Sequence, residues 1–213
     1  MLNTLRAVFS IVFLAWLTGI TGCTPSKVAA TAVLQIDETA TPEEIAGAAQ
    51  VLKARFEDVT PGSFPSVTST ISGHTLSFEF RGGAPTETSV RLLSSERAEF
   101  AIVAAGDASD VWVTDADVLE ARTATKAGAE FLGVKLKPEA GKRLEARTAA
   151  NVGKMLAVNW DGREVTSLQI QGAYGENFEF PVPSEDLGRI MQATLGHGRL
   201  QIRMRSFDYR VAP

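Results

Sequence analysis

Val134–Gly172 reads VKLKPEAGKRLEARTAANVGKMLAVNWDGREVTSLQIQG, and the order of its signals decides the fold. Phe131, Val134 and Leu136 mark a strand over Glu130–Leu136. Pro138 suits a first helical position, and Ala140, Leu144, the Arg147 stem and Val152 share a face, which predicts a helix over Pro138–Val152. Met155–Asn159 follows as a strand. Asp161-Gly162 supplies the two positive-φ positions of a tight hairpin, so Glu164–Ile170 returns beside it. A strand that feeds a helix and comes back to a hairpin is an α+β pattern.

Working outward toward the C-terminus, Asn177–Val182 is a further strand. Ser184 caps a last helix running to Leu195, which Gly196 can end. Leu200, Ile202 and Met204 then alternate with Gln201, Arg203 and Arg205 in a final strand. Toward the N-terminus, Leu34 and Ile36 give a strand over Ala32–Asp37. Thr41-Pro42-Glu43-Glu44 combines a capping hydroxyl, a first-turn proline and the glutamate of a capping box. Ile45, Ala48, Ala49, Leu52 and Phe56 recur at helical spacing over Pro42–Phe56. Val67–Ser72 and Thr75–Arg81 form a hairpin about Gly73, Thr86–Ser95 a short helix, and Ala98–Ala104 a strand. The order is β-α-β-β-α-β, a ferredoxin-like lobe over residues 32–105. Gly106–Asp110 is the expected break, and Thr114–Ala121 one or two helical turns. A second α+β lobe with a mostly antiparallel sheet follows over residues 111–207.

The chain has 213 residues, 45% of them hydrophobic and 22% charged, with a formal net charge of -4. That composition suits a folded body, and the mild acidity argues against nucleic acid as the partner, which needs surplus Lys and Arg. The first 22 residues read as a signal: Arg6, an apolar run over Ala7–Leu17, then Ile20-Thr21-Gly22-Cys23. The run is shorter than the roughly 20 residues a spanning helix needs. An aliphatic residue, two small ones and Cys form a lipobox, so Cys23, the one cysteine, is expected to carry diacylglycerol and anchor the chain to a membrane. Residues 23–31 would be a lipidated tether. The expected location is the bacterial envelope, facing the periplasm. Thr24, where enteric lipoproteins retained at the inner membrane carry Asp, favours the outer membrane.

Residues capable of chemistry are sparse. The two histidines, His74 and His197, stand at a hairpin tip and between two glycines, without companions at metal-ligand spacing. Asp107, Asp110, Asp115 and Asp117 cluster but lack the glycine turn and closing glutamate of a calcium loop, so a solvated acidic loop is expected. There is no free thiol beyond Cys23, no nucleophile elbow and no phosphate-cradling glycine loop. No enzyme activity, cofactor or metal is expected. Arg199, Arg203 and Arg205 line the outward face of the last strand, and Gln201, Arg203 and Arg205 are the candidate polypeptide contacts. An open strand edge can bind an extended chain through its main chain, without sequence preference.

The pattern from Val134-Lys135-Leu136-Lys137-Pro138-Glu139-Ala140-Gly141-Lys142-Arg143, through Thr148, Asn151-Val152-Gly153-Lys154 and Leu156-Ala157-Val158, to Asp161-Gly162 and Ile170-Gln171-Gly172 resembles the first periplasmic domain of SecD. SecD is the membrane protein that assists Sec-dependent export. Leu34-Gln35-Ile36, the helix ending in Leu52-Lys53-Ala54-Arg55-Phe56, Thr75–Gly82 and Ala98-Glu99-Phe100 are similar to the family's first half, so the resemblance runs from Val33 to Met204. It departs where Gly82-Gly83 stands for the family's Pro-Gly, and in the shortened Gly172–Glu176 segment. After the N-terminal signal there is no apolar stretch of spanning length, so the family's proton-coupled work is not implied. What the resemblance implies is the fold and contact with exported or unfolded polypeptide, or with the Sec machinery. The alternative is an adaptor lipoprotein with one envelope partner and no client handling.

Overall fold

Strand β1 (Val28–Ile36) buries Ala30, Ala32, Leu34 and Ile36 on one face, the period-2 signature of a half-buried strand. The computed structural model describes residues 27–62, 65–94, 99–198, 200, 202 and 204–213. Residues 28–31, expected to belong to a tether, are already strand, while 1–26 lie outside the described residues. Helix α1 (Pro42–Val59) starts as its capping box requires. The Glu44 N–H donates to Thr41 Oγ1 at 3.3 Å, and the Thr41 N–H donates back to Glu44 Oε2 at 2.7 Å, so two donors that a helix start leaves unpaired are satisfied. Strands β2 (Ser66–Ser72) and β3 (Thr75–Arg81) form the expected hairpin, and α2 (Glu87–Leu93) follows, capped by Thr86.

From Phe100 the chain leaves this sheet. Strands β4 (Phe100–Ala104) and β5 (Asp107–Thr114) make a hairpin turned by Gly106, whose φ is +85°. The polar break at 106–110 is therefore a turn and strand inside a unit, not a boundary between lobes. Asp115–Asp117 is a single 3-10 turn, and β6 (Val118–Lys126) takes the second half of the expected helical segment. Then come β7 (Ala129–Leu136), α3 (Pro138–Ala149), β8 (Met155–Trp160), β9 (Arg163–Gln169) and β10 (Asn177–Val182). Helix α4 (Glu185–His197) leads back, capped by Ser184 and ended by Gly198 rather than Gly196, and β11 (Met204–Val211) closes the chain. The final strand thus lies four residues later than the alternation of Leu200, Ile202 and Met204 implies. Leu200 and Ile202 are buried in the core ahead of it.

The first sheet has the antiparallel order β11-β1-β3-β2. That is the ferredoxin-like arrangement, with one difference from the sequence expectation: its second αβ unit is α4–β11, from the end of the chain. The strand at 98–104 expected to close it sits instead between β5 and β8, pairing Ile102 with Val158. Everything from β4 to β10 is an insertion into the split βαβ frame. It contains two antiparallel sheets, β5-β4-β8-β9 and β10-β7-β6.

Two cores result. In the first, α1 lays Phe56 edge-on against Phe78 and Phe80, with centroids 5.0 and 5.4 Å apart. In the second, Phe180 stacks between Phe100 at 6.0 Å and Phe178 at 5.8 Å, and so joins the two sheets of the insertion. Each such buried ring stabilises the fold by about 1.5–3 kcal/mol through burial. Helix α4 serves both cores: Ile190 and Ala193 face the first and Met191 the second. Its Gln192 Oε1 also accepts from Thr123 N and Oγ1 of β6, at 2.8 and 3.0 Å. Arg55 on α1 is wholly buried. It donates through Nη1 to Leu93 O at 2.7 Å and through Nη2 to Gly198 O, satisfying carbonyls at the C-terminal ends of α2 and α4. Burial pushes its guanidinium down to about 10, which leaves it cationic at neutral pH. No described helix is long and apolar enough to cross a membrane.

Candidate functional site

The insertion carries an open groove of about 440 Å³, lined by residues of β7, β9, β10 and the 170–176 loop. Its walls are two sheet margins. Strand β9 is outermost in one sheet and β10 in the other. The backbone direction of each margin follows from one hydrogen bond. Leu136 N donates to Glu176 O, so β10 turns the main chain of Phe178, Phe180 and Val182 toward β7. Asn177, Glu179 and Pro181 then face their main chains outward, and Pro181, lacking an N–H, interrupts that margin. Ile170 N donates to Lys154 O, which by the same alternation leaves Ser167 and Gln169 facing outward on β9.

The lining between these margins is aromatic and aliphatic: Phe131, Leu168, Tyr174 and Phe178. Tyr174 packs against Phe178 at 5.4 Å and is fixed by its hydroxyl, which accepts from Gln171 N at 3.1 Å. Its own N–H donates to Thr148 Oγ1 of α3 at 2.9 Å. Helix α3 approaches the loop so closely that a Cβ on Gly141 would stand 2.9 Å from Glu176 Cα, which explains a glycine inside a helix. Lys126 sits over the Phe131 ring at 5.7 Å and pairs with Glu179 at 2.6 Å. Adjoining the groove along β10, a second depression of about 370 Å³ opens over Gly133, ringed by Glu120, Arg122, Lys135 and Glu179. The arrangement offers main-chain donors and acceptors beside an apolar floor. An extended polypeptide needs both.

The expected site residues are distributed differently. Gln201, Arg203 and Cys23 lie outside the described residues, as does Arg199. Arg205 is held by acids of the β1–α1 turn, at 2.9 Å from Glu38 and 3.6 Å from Asp37. His197, in the last turn of α4, meets Asp58 of α1 at 3.0 Å, and His74 lies 3.3 Å from Ala40 O. Among the described residues no group of three or more His, Cys, Asp or Glu is placed to hold a metal. The acidic cluster is split up instead: Asp107 accepts from Ser109, Asp110 pairs with Arg147 at 3.4 Å, and Asp117 with Arg143 at 2.8 Å. Sequence reading missed the groove because its aromatics come from segments more than 40 residues apart. The nearest signal was the apolar alternation of Asn177–Val182 with Tyr174 just ahead of it.

Asp117 makes a testable clamp. Burial would raise its pKa, but the Thr114 N–H and the Arg143 guanidinium outweigh burial and hold it below the usual carboxylate range. Arg143 also donates to Trp112 O at 2.9 Å, which ties α3 to β5. A depressed folded-state pKa means that this stability is complete above the unfolded value, near ~3.9, and is lost as pH falls through the folded one. Asp117→Asn is therefore expected to cost about 1 kcal/mol at neutral pH, with the gap to the native protein closing in acid. Urea unfolding at the two pH values measures both.

No family model and no curated protein matches the sequence. Solved structures do. A structure of SecDF in its super-membrane-facing form superposes at a TM-score of 0.62 with 19% identity, over 95% of this chain and 34% of that one. A second, of SecDF as a membrane component that enhances protein export, gives a TM-score of 0.57 with 20% identity, over 83% of this chain and 96% of that chain. The chain has a SecD-like fold. It spans about a third of the first SecDF chain, so the likeness carries the architecture of one SecD-like region. The split ferredoxin-like frame and its inserted two-sheet unit are what that region consists of here.

Proposed function

We propose that this chain is an envelope protein of SecD-like fold that receives exported polypeptide in extended form, is tethered to the membrane through lipid on Cys23, and carries out no chemistry of its own. The observation that carries the reading is the groove between β9 and β10. A passing segment can pair with the outward main chain of Ser167 or of Asn177 and Glu179, and rest side chains on Phe131, Leu168 and Tyr174. Main-chain pairing supplies affinity without a preferred sequence, which suits a protein that meets many clients. The Sec machinery is the expected source of such clients.

The test is photo-crosslinking in cells from a probe at Gln171, on the groove wall, with mass spectrometry of the adducts. Adducts across many exported proteins, reduced several-fold by Tyr174→Asp, are expected. A single discrete adduct unaffected by that change would make the chain an adaptor for one envelope partner. No adduct would sink the client reading. Metabolic labelling with an alkyne fatty acid, lost in Cys23→Ser, tests the anchor separately.

A further inference from the structure

The groove leaves unexplained the outermost strand of the first sheet. Among the described residues β11 pairs on one side only, with β1. Its sequence is Met204-Arg205-Ser206-Phe207-Asp208-Tyr209-Arg210-Val211. Asp208 and Arg210 share one face and are exposed, with their charged groups 2.8 Å apart. Phe207 and Tyr209 share the other face, stacked with their rings within 5° of parallel, and Tyr209 is anchored by its hydroxyl donating to Pro85 O. Val211 beyond them is 62% exposed, the most exposed large hydrophobic residue described.

The backbone phase of this edge is settled twice over. Ala212 N donates to Ala29 O, which places residues 206, 208, 210 and 212 in the hydrogen-bonded pairs with β1. Ile36 N donates to His74 O, so the even residues of β1 turn toward β3 and the odd ones toward β11, the same phase. Phe207, Tyr209 and Val211 therefore present their N–H and C=O groups outward.

We propose that β11 pairs edge to edge with β11 of a second copy of this chain, antiparallel, about a two-fold axis through Tyr209. A two-fold perpendicular to a sheet must set residues of one face opposite each other, which limits the registers. An axis through Asp208 would bring two carboxylates face to face. An axis through Phe207 would leave Arg210 opposite Met204 and Asp208 opposite Ser206. The axis through Tyr209 sets Asp208 opposite Arg210 of the second copy, and Arg210 opposite Asp208, so four charges alternate in sign. On the other face Phe207 meets Val211 of the second copy on both sides of the axis, and the exposed valine gains an apolar partner. The same register brings the outward main-chain groups together: Tyr209 with its own copy, and Phe207 with Val211. Opposite charges directly across strands stabilise pairing and like charges oppose it. Such a charge pattern discourages other edges while matching its own.

This surface is separate from the groove, so its test is independent of the client reading. Sedimentation velocity of the full chain in detergent over a range of concentrations is expected to show a reversible dimer. Asp208→Arg and Arg210→Asp should each shift the protein to monomer, because each sets like charges across the axis. The double exchange of both residues should restore the dimer, since opposite charges face again. Circular dichroism confirms that these exposed variants fold. Tyr174→Asp, in the groove, should leave the dimer unchanged. A monomer at every concentration, a dimer insensitive to Asp208→Arg, or a double exchange that stays monomeric would each overturn the proposal.

Discussion

Arg55→Ala should cost about 3–5 kcal/mol of folding stability, the largest effect expected from any single change at a polar residue here. The side chain is fully buried, and its two described acceptors are the main-chain carbonyls of Leu93 and Gly198. Truncation removes the stem from the core and strands both carbonyls without a donor. Each costs its own desolvation, about 1–3 kcal/mol, before any cavity is counted. Arg55→Met separates the two contributions. It keeps most of the stem's packing and loses the donors, so it should recover about 1–2 kcal/mol of the alanine loss and no more. Lysine is a poor replacement, because one ammonium cannot span two carbonyls that a planar fork reaches together. Urea unfolding of the three variants measures the order. An alanine variant within 1 kcal/mol of the native protein would show that the ends of α2 and α4 are held by other means.

Phe180→Ala is the second large effect, again about 3–5 kcal/mol. Phe180 is 0% exposed and stacks on Phe100 and Phe178, rings from both sheets of the insertion. Removing it opens a cavity at the seam between β5-β4-β8-β9 and β10-β7-β6, and only a shift of one sheet against the other could fill it. The loss should appear first in the insertion. Hydrogen exchange is expected to quicken in β4, β7 and β10 while β1 and β3, whose core is built on Phe56, Phe78 and Phe80, stay protected. Uniform quickening throughout would mean that the two cores unfold as one.

These two residues also mark where sequence reading stops. The capping box at Thr41, the Asp161-Gly162 hairpin and the alternation in Thr75–Arg81 are local signals, read within a few residues, and each sits in the structure where local chemistry puts it. Asp161 has φ +50° and Gly162 +72°, as the turn demands. The groove was not legible. Phe131, Leu168 and Tyr174 meet only because β7 and β9 lie in different sheets whose margins converge, and no period in the chain encodes that. The burial of Arg55 had no local signal either, since nothing nearby in sequence announces that two other helices end beside it.

By itself the sequence determined most of the elements, β5 and β6 excepted, their α+β class and the resemblance to SecD, because helix and strand periodicity, caps and tight turns act over a handful of residues. Only the tertiary structure decided which strand completes the first sheet. The sequence pattern puts Ala98–Ala104 in the first lobe and the C-terminal strand in the second, although both alternate apolar with other residues. Strand β4 buries Phe100, Ile102 and Val103 and takes a central place in the insertion, between β5 and β8. Strand β11 buries one face only in part and suits the edge beside β1. The choice rests on how much apolar surface each strand must hide and what is there to hide it, a sum over residues that the chain brings together only when folded.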